Sequence, residues 1–70
     1  MLSARNQLKG KVIAVKTGAV MSEVVVNIGG GNEIVSLIST SSAKRLKLKK
    51  GKDVLVVIKS TEVMISIDDE

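Results

Sequence analysis

Residues 22–39 read SEVVVNIGGGNEIVSLIS, and this stretch carries the fold class. Two runs rich in Val and Ile, the β-branched types that pack well on a pleated surface, flank Gly29-Gly30-Gly31-Asn32. The pattern predicts a strand over 22–28, a glycine-rich hairpin connection and a strand over 33–39. Upstream, residues 5–15 read as a first strand with Leu8, Gly10, Val12 and Ala14 on one side. Gly10 within it predicts a bulge or a sharp bend. Lys16-Thr17-Gly18-Ala19 is a turn in which Gly18 is free to take a positive φ. Downstream, Thr40 or Ser41 is expected to cap a short helix over 42–46. A turn follows at Lys49-Lys50-Gly51-Lys52, then a strand over 53–59, the link Ser60-Thr61-Glu62 and a strand over 63–67. Five strands with one short helix between strands 3 and 4 is the element order of an all-β, OB-type Greek-key barrel. The chain reads as a single domain over 1–70 with an acidic tail at 68–70, with no internal repeat and no low-complexity linker.

Several of these strands do not alternate. Val24-Val25-Val26, Val54-Leu55-Val56-Val57-Ile58 and Val63-Met64-Ile65 are apolar on both faces. One face of a small barrel wall fills its interior and the other is expected to be wet. Two apolar faces in a chain with no helical layer predict that neighbouring subunits cover the outer one. Size points the same way. Below roughly 70–80 residues a single core rarely supplies more than about 3–5 kcal/mol, and with no aromatic residue the chain lacks the large buried rings that would compensate. An oligomer is expected.

Composition removes whole classes of function. The chain has no Cys and no His. That excludes a disulfide framework, a Cys-based zinc or iron–sulfur site and a thiol nucleophile, and leaves a transition-metal cation only carboxylates. The acids Glu23, Glu33, Asp53, Glu62 and the tail offer little for acid–base chemistry. A Ser–Lys nucleophile pair at Lys59-Ser60 fails within a regular strand, because adjacent residues point to opposite faces. The expectation is that the protein is not an enzyme. Gly29-Gly30-Gly31 is no phosphate loop, since it lacks a following GK[ST] and runs into a strand. No apolar run approaches the ~18–20 residues of a membrane span, and the first residues lack the charged and apolar regions of a signal peptide. A soluble, cytoplasmic protein without membrane contact is expected.

The net charge of +4 and the pI near 9.7 favour an anionic partner. Residues 1–16 hold four basic side chains and no acid, and residues 44–52 hold six more. The second run is either a solvated helix-and-turn surface or a nucleic-acid patch. Barrels of this kind grip single strands by stacking bases on aromatic side chains, worth roughly 1–3 kcal/mol per base. Without aromatics only salt-sensitive backbone electrostatics would remain. A basic OB-type nucleic-acid-binding protein is the alternative reading.

Two other stretches place a cation beside hydroxyls, amides and backbone N–H groups at a strand terminus: Ser3-Ala4-Arg5-Asn6 and Ile58-Lys59-Ser60-Thr61. Arg and Lys donate and never accept. Such a set suits a small, fully deprotonated tetrahedral dianion, with charge-assisted bonds about twice as strong as neutral ones. Ordinary solvated strand ends would show the same residues.

These stretches also carry a resemblance. Ser3-Ala4-Arg5-Asn6-Gln7-Leu8-Lys9-Gly10, then Lys16-Thr17-Gly18-Ala19-Val20, then Val57-Ile58-Lys59-Ser60-Thr61-Glu62-Val63-Met64-Ile65 resemble the molbindins, the single-domain Mop or molybdenum-pterin-binding proteins. The similarity runs from Met1 to about Ile67 and leaves the tail Asp68-Asp69-Glu70 outside the pattern. It implies a five-stranded OB-type barrel assembled as a hexamer, a trimer of dimers. It implies molybdate or tungstate as oxyanion ligand at sites between subunits, no organic cofactor, and storage or buffering of the ion in the cytoplasm. Related domains occur in molybdate-responsive regulators and importer ATPases. With no DNA-binding or ATPase segment here, storage is the expected role. Carried over by position, Ser3, Ala4, Arg5 and Asn6 would form one side of a pocket and Lys59 and Ser60 the other; at a site between subunits, Lys59 and Ser60 need not both come from the same copy. Gly18, Ala19 and Val20 would lend backbone N–H groups to a second oxyanion site.

Overall fold

The computed structural model describes residues 4–68. Strands β1 (Asn6–Thr17), β2 (Met21–Gly29) and β3 (Asn32–Ser39) precede helix α1 (Thr40–Arg45), strand β4 (Asp53–Ile58) and a single 3₁₀ turn (Ser60–Glu62). All pairings are antiparallel and the sheet order is β3-β2-β1-β4. The β2–β3 hairpin turns as expected. Gly29, Gly30 and Gly31 all have positive φ, which lets a two-residue connection follow the right-handed twist of the strands.

The expected fifth strand is absent. Residues 63–67 pair with no strand among the described residues, and the chain forms a four-stranded sheet, not a closed five-stranded barrel. The reason lies after Ile58. The 3₁₀ turn begins two residues later, ending β4 one residue short of expectation and interrupting the extended backbone before Val63.

Within β1 the alternation also breaks elsewhere than expected. The register slips between Val12 and Ala14, so Ala14 turns to solvent while Val15 packs on the core. The bulge is therefore at Ile13, not at Gly10. Gly10 has a different purpose: a Cβ there would lie 2.5 Å from Val26 Cγ1 and 2.8 Å from the Asn27 carbonyl oxygen. Gly18 likewise does not take the positive φ expected of it; a Cβ there would collide with the Met21 carbonyl oxygen.

The core is small. Val12, Val24 and Val26 are buried, with Val15, Ile28, Ile38, Leu48, Val54 and Val56 packed around them. The helix starts earlier than expected because Ser39, not Thr40 or Ser41, is its N-cap, accepting from the Ser42 N–H at 3.1 Å. It ends in a Schellman arrangement: Lys47 sits in the left-handed region at φ 54°, and the N–H groups of Lys47 and Leu48 bond to Lys44 and Ala43 carbonyls at 3.0 and 3.1 Å. The following turn is pinned to β1 by Gly51 N–H to Val12 O at 2.7 Å and Val12 N–H to Lys52 O at 2.9 Å.

Candidate functional site

The antiparallel β1–β4 ladder pairs Asn6 with Ile58. The residues just outside that pair, Ala4 and Arg5 on one strand and Lys59 and Ser60 on the other, therefore leave the sheet at the same end. The structure brings the two stretches singled out in the sequence together within one copy. Ser3 lies outside the described residues. Ala4 and Asn6 are half-buried, and Arg5, Lys59 and Ser60 are exposed. Lys59 is extended and Ser60 opens the 3₁₀ turn, which Glu62 N–H closes onto the Lys59 carbonyl at 2.9 Å. The alternation rule that separated these two side chains does not apply, since neither belongs to a strand.

Gln7 adds a positioning contact that sequence reasoning missed. Its Nε2 donates to the Ala4 carbonyl at 2.9 Å, holding the chain entering β1 against that strand. A glutamine in a strand gives no local sign of such a bond. Neither Arg5 nor Lys59 enters an ion pair among the described residues, where the salt bridge formed is Lys11 to Asp53 at 2.9 Å. Two cations at one strand end without a neutralising acid repel each other. An anion seated between them removes that repulsion and gains charge-assisted bonds.

The second set, Gly18, Ala19 and Val20, lies at the far end of β1 and does not join the first. It forms the bend between β1 and β2, fixed through its carbonyls. Thr40 Oγ1 donates to Gly18 O at 2.7 Å and Thr40 N–H to Val20 O at 2.7 Å. The basic run of 44–52 forms the exposed rim of α1 and the turn after it.

Residues 2–65 match the TOBE domain family. The chain belongs to it, within the Mop group of molybdenum-pterin-binding proteins. The Mop chain is 55% identical over 64 residues to molybdenum-pterin-binding protein 1 of Clostridium pasteurianum, covering 91% of this chain and 94% of that protein. Its fold superposes on MopII of the same organism with a TM-score of 0.89 at 52% identity, over 96% of this chain and all 100% of the other. It also superposes on the cytoplasmic molybdate-binding protein ModG, crystallised with molybdate bound, with a TM-score of 0.81 at 44% identity; there it covers 84% of this chain and 42% of ModG. MopII aligns along its full length, so this chain has the fold of that Mop protein.

Proposed function

We propose that this Mop protein binds molybdate, and tungstate as its near twin, at sites between the subunits of an oligomer, and stores the oxyanion in the cytoplasm. The chain is a non-enzymatic binder, like the proteins of its group. The observation that carries the ligand class is the convergence of Arg5 and Lys59 at one end of the β1–β4 ladder, both exposed and neither ion-paired among the described residues. Ser3, Ala4, Asn6 and Ser60 complete the pocket at a seam between copies, and Gly18, Ala19 and Val20 form a second oxyanion site. ModG, which this chain resembles, is named for molybdate.

An intersubunit site is favoured by what the single chain leaves bare. Val35 and Leu37 on β3, and Leu55 and Val57 on β4, are exposed on the outer side of the sheet. A hexamer built as a trimer of dimers would cover them. A ligand held across such seams stabilises the assembly by mass action, about 2.7 kcal/mol per site at a hundred-fold excess over Kd.

Equilibrium dialysis with molybdate, against excess sulfate and phosphate, tests this reading. Retention of the ion at micromolar concentration, lost in the R5A variant, is the expected result. Retention of less than a fraction of an ion per chain overturns it.

A further inference from the structure

A small cavity of about 100 Å³ lies between the end of β1, the start of β2 and helix α1. At the share of about 30 Å³ that each water takes in the liquid, it has room for about three waters or one small ion in their place. Thr17, Lys44 and Lys47 line it and are exposed, while Ser22 and Thr40 line it and are buried. No carboxylate is among its lining residues. The cavity and the Arg5–Lys59 end of the sheet lie at opposite ends of the twelve-residue β1.

The two ammonium groups belong to one turn of chain. The Lys47 N–H bonds to the Lys44 carbonyl at 3.0 Å, and like charges three residues apart on a helical surface repel. Neither is ion-paired among the described residues. Lys47 holds its place at φ 54°, a backbone position that suits glycine, so the second cation stands there against the local preference. Arg45, Lys49 and Lys50 are exposed beside them. Clustered charge of one sign raises the local concentration of small anions.

The hydroxyls say which anion. Thr40 Oγ1 donates to the Gly18 carbonyl at 2.7 Å. The 2.8 Å bond between Thr40 and Ser22 therefore uses the Ser22 proton. With both protons committed, the two oxygens offer only lone pairs to the cavity. Molybdate and sulfate, fully deprotonated, are acceptors throughout and gain nothing from those lone pairs. Hydrogen phosphate has bare oxygens for the ammonium groups and one O–H for an acceptor.

We propose that this cavity is a hydrogen-phosphate site. Lys44, Lys47 and the Thr17 hydroxyl donate to the bare oxygens of the anion, and the Ser22–Thr40 pair accepts from its O–H. The site is additional to the oxyanion pocket proposed above and does not depend on it.

Inorganic phosphate titrated into the full chain at constant ionic strength tests this, followed by amide proton–nitrogen NMR spectra and by melting temperature. Saturable shifts at the amides of Thr17, Thr40, Lys44 and Lys47 in the millimolar range are expected, with a rise in melting temperature by linkage. Lys44→Gln is expected to raise the phosphate Kd about tenfold, the loss of one hydrogen bond to a charged group. Lys47→Gly is expected to melt higher than wild type without phosphate and to gain less from it, a split that a purely structural lysine would not produce. No saturation in the millimolar range overturns the proposal, as do shifts confined to the Arg5 and Lys59 amides. Shifts spread evenly over Arg45, Lys49 and Lys50 would replace the site with diffuse surface attraction. Sulfate or molybdate moving the same amides at equal concentration overturns the selection for a protonated anion. Molybdate retention is measured without phosphate, so failure here and failure of the molybdate reading are separate results.

Discussion

The hydroxyls of Ser22 on β2 and Thr40, the first residue of α1, lie 2.8 Å apart and both residues are buried. Thr40 spends its own proton on the Gly18 carbonyl at 2.7 Å. Ser22 must therefore donate and Thr40 accept. The result is a directed chain, Ser22 to Thr40 to Gly18, that ties the β1–β2 bend to the start of the helix. A side-chain hydrogen bond is worth about 1 kcal/mol net, but a buried group left without its partner costs about 1–3 kcal/mol.

Thr40→Val keeps the shape of the side chain and removes both roles of its hydroxyl, orphaning the Ser22 proton and the Gly18 carbonyl. A loss of about 1–3 kcal/mol is expected, read as a lower urea midpoint at fixed protein concentration with an unchanged slope. Ser22→Ala is expected to cost less, because Thr40 keeps its bond to Gly18. The double variant is expected to lose less than the sum of the two, the sign of coupling in one network.

Gly10→Ala is expected to destabilise by about 1–3 kcal/mol, the usual cost of overpacking. The added carbon would sit 2.8 Å from a backbone carbonyl oxygen, and backbone gives way less readily than a side chain. Thermal unfolding measures it. A midpoint equal to wild type would show that β1 and β2 can separate there without cost.

Lys47→Gly is expected to act in the opposite direction. Lys47 holds a left-handed conformation at φ 54°, which strains an L-residue and suits glycine at this position after a helix. A gain of about 0.5–1 kcal/mol is expected in denaturant titration, with β content unchanged by circular dichroism.

Arg5→Ala and Lys59→Ala should separate binding from folding. Both side chains are exposed and neither is ion-paired among the described residues. Stability without ligand is expected to stay within about 0.5 kcal/mol of wild type. Molybdate should shift the melting temperature of the wild type upward by linkage and leave both variants almost unmoved. A wild-type shift retained in R5A would assign the pocket to other residues.

The sequence by itself determined the elements that depend on neighbours in the chain. Val and Ile runs around Gly29-Gly30-Gly31 placed β2, β3 and their hairpin, and Gly51 placed the turn before β4, because β-branched packing and positive φ are local properties. The donor sets at Ala4, Arg5, Asn6, Lys59 and Ser60 were legible for the same reason, as side-chain types at strand ends. What only the tertiary structure decided depends on residues far apart. The slip at Ile13 and the close approach that requires glycine at position 10 arise where β1 crosses β2, and the Ser22–Thr40 bond joins residues eighteen apart. The strand expected over 63–67 shows the limit most plainly. Its apolar run is written in the chain, but a strand exists only where an edge accepts its hydrogen bonds, and among the described residues no strand pairs with it.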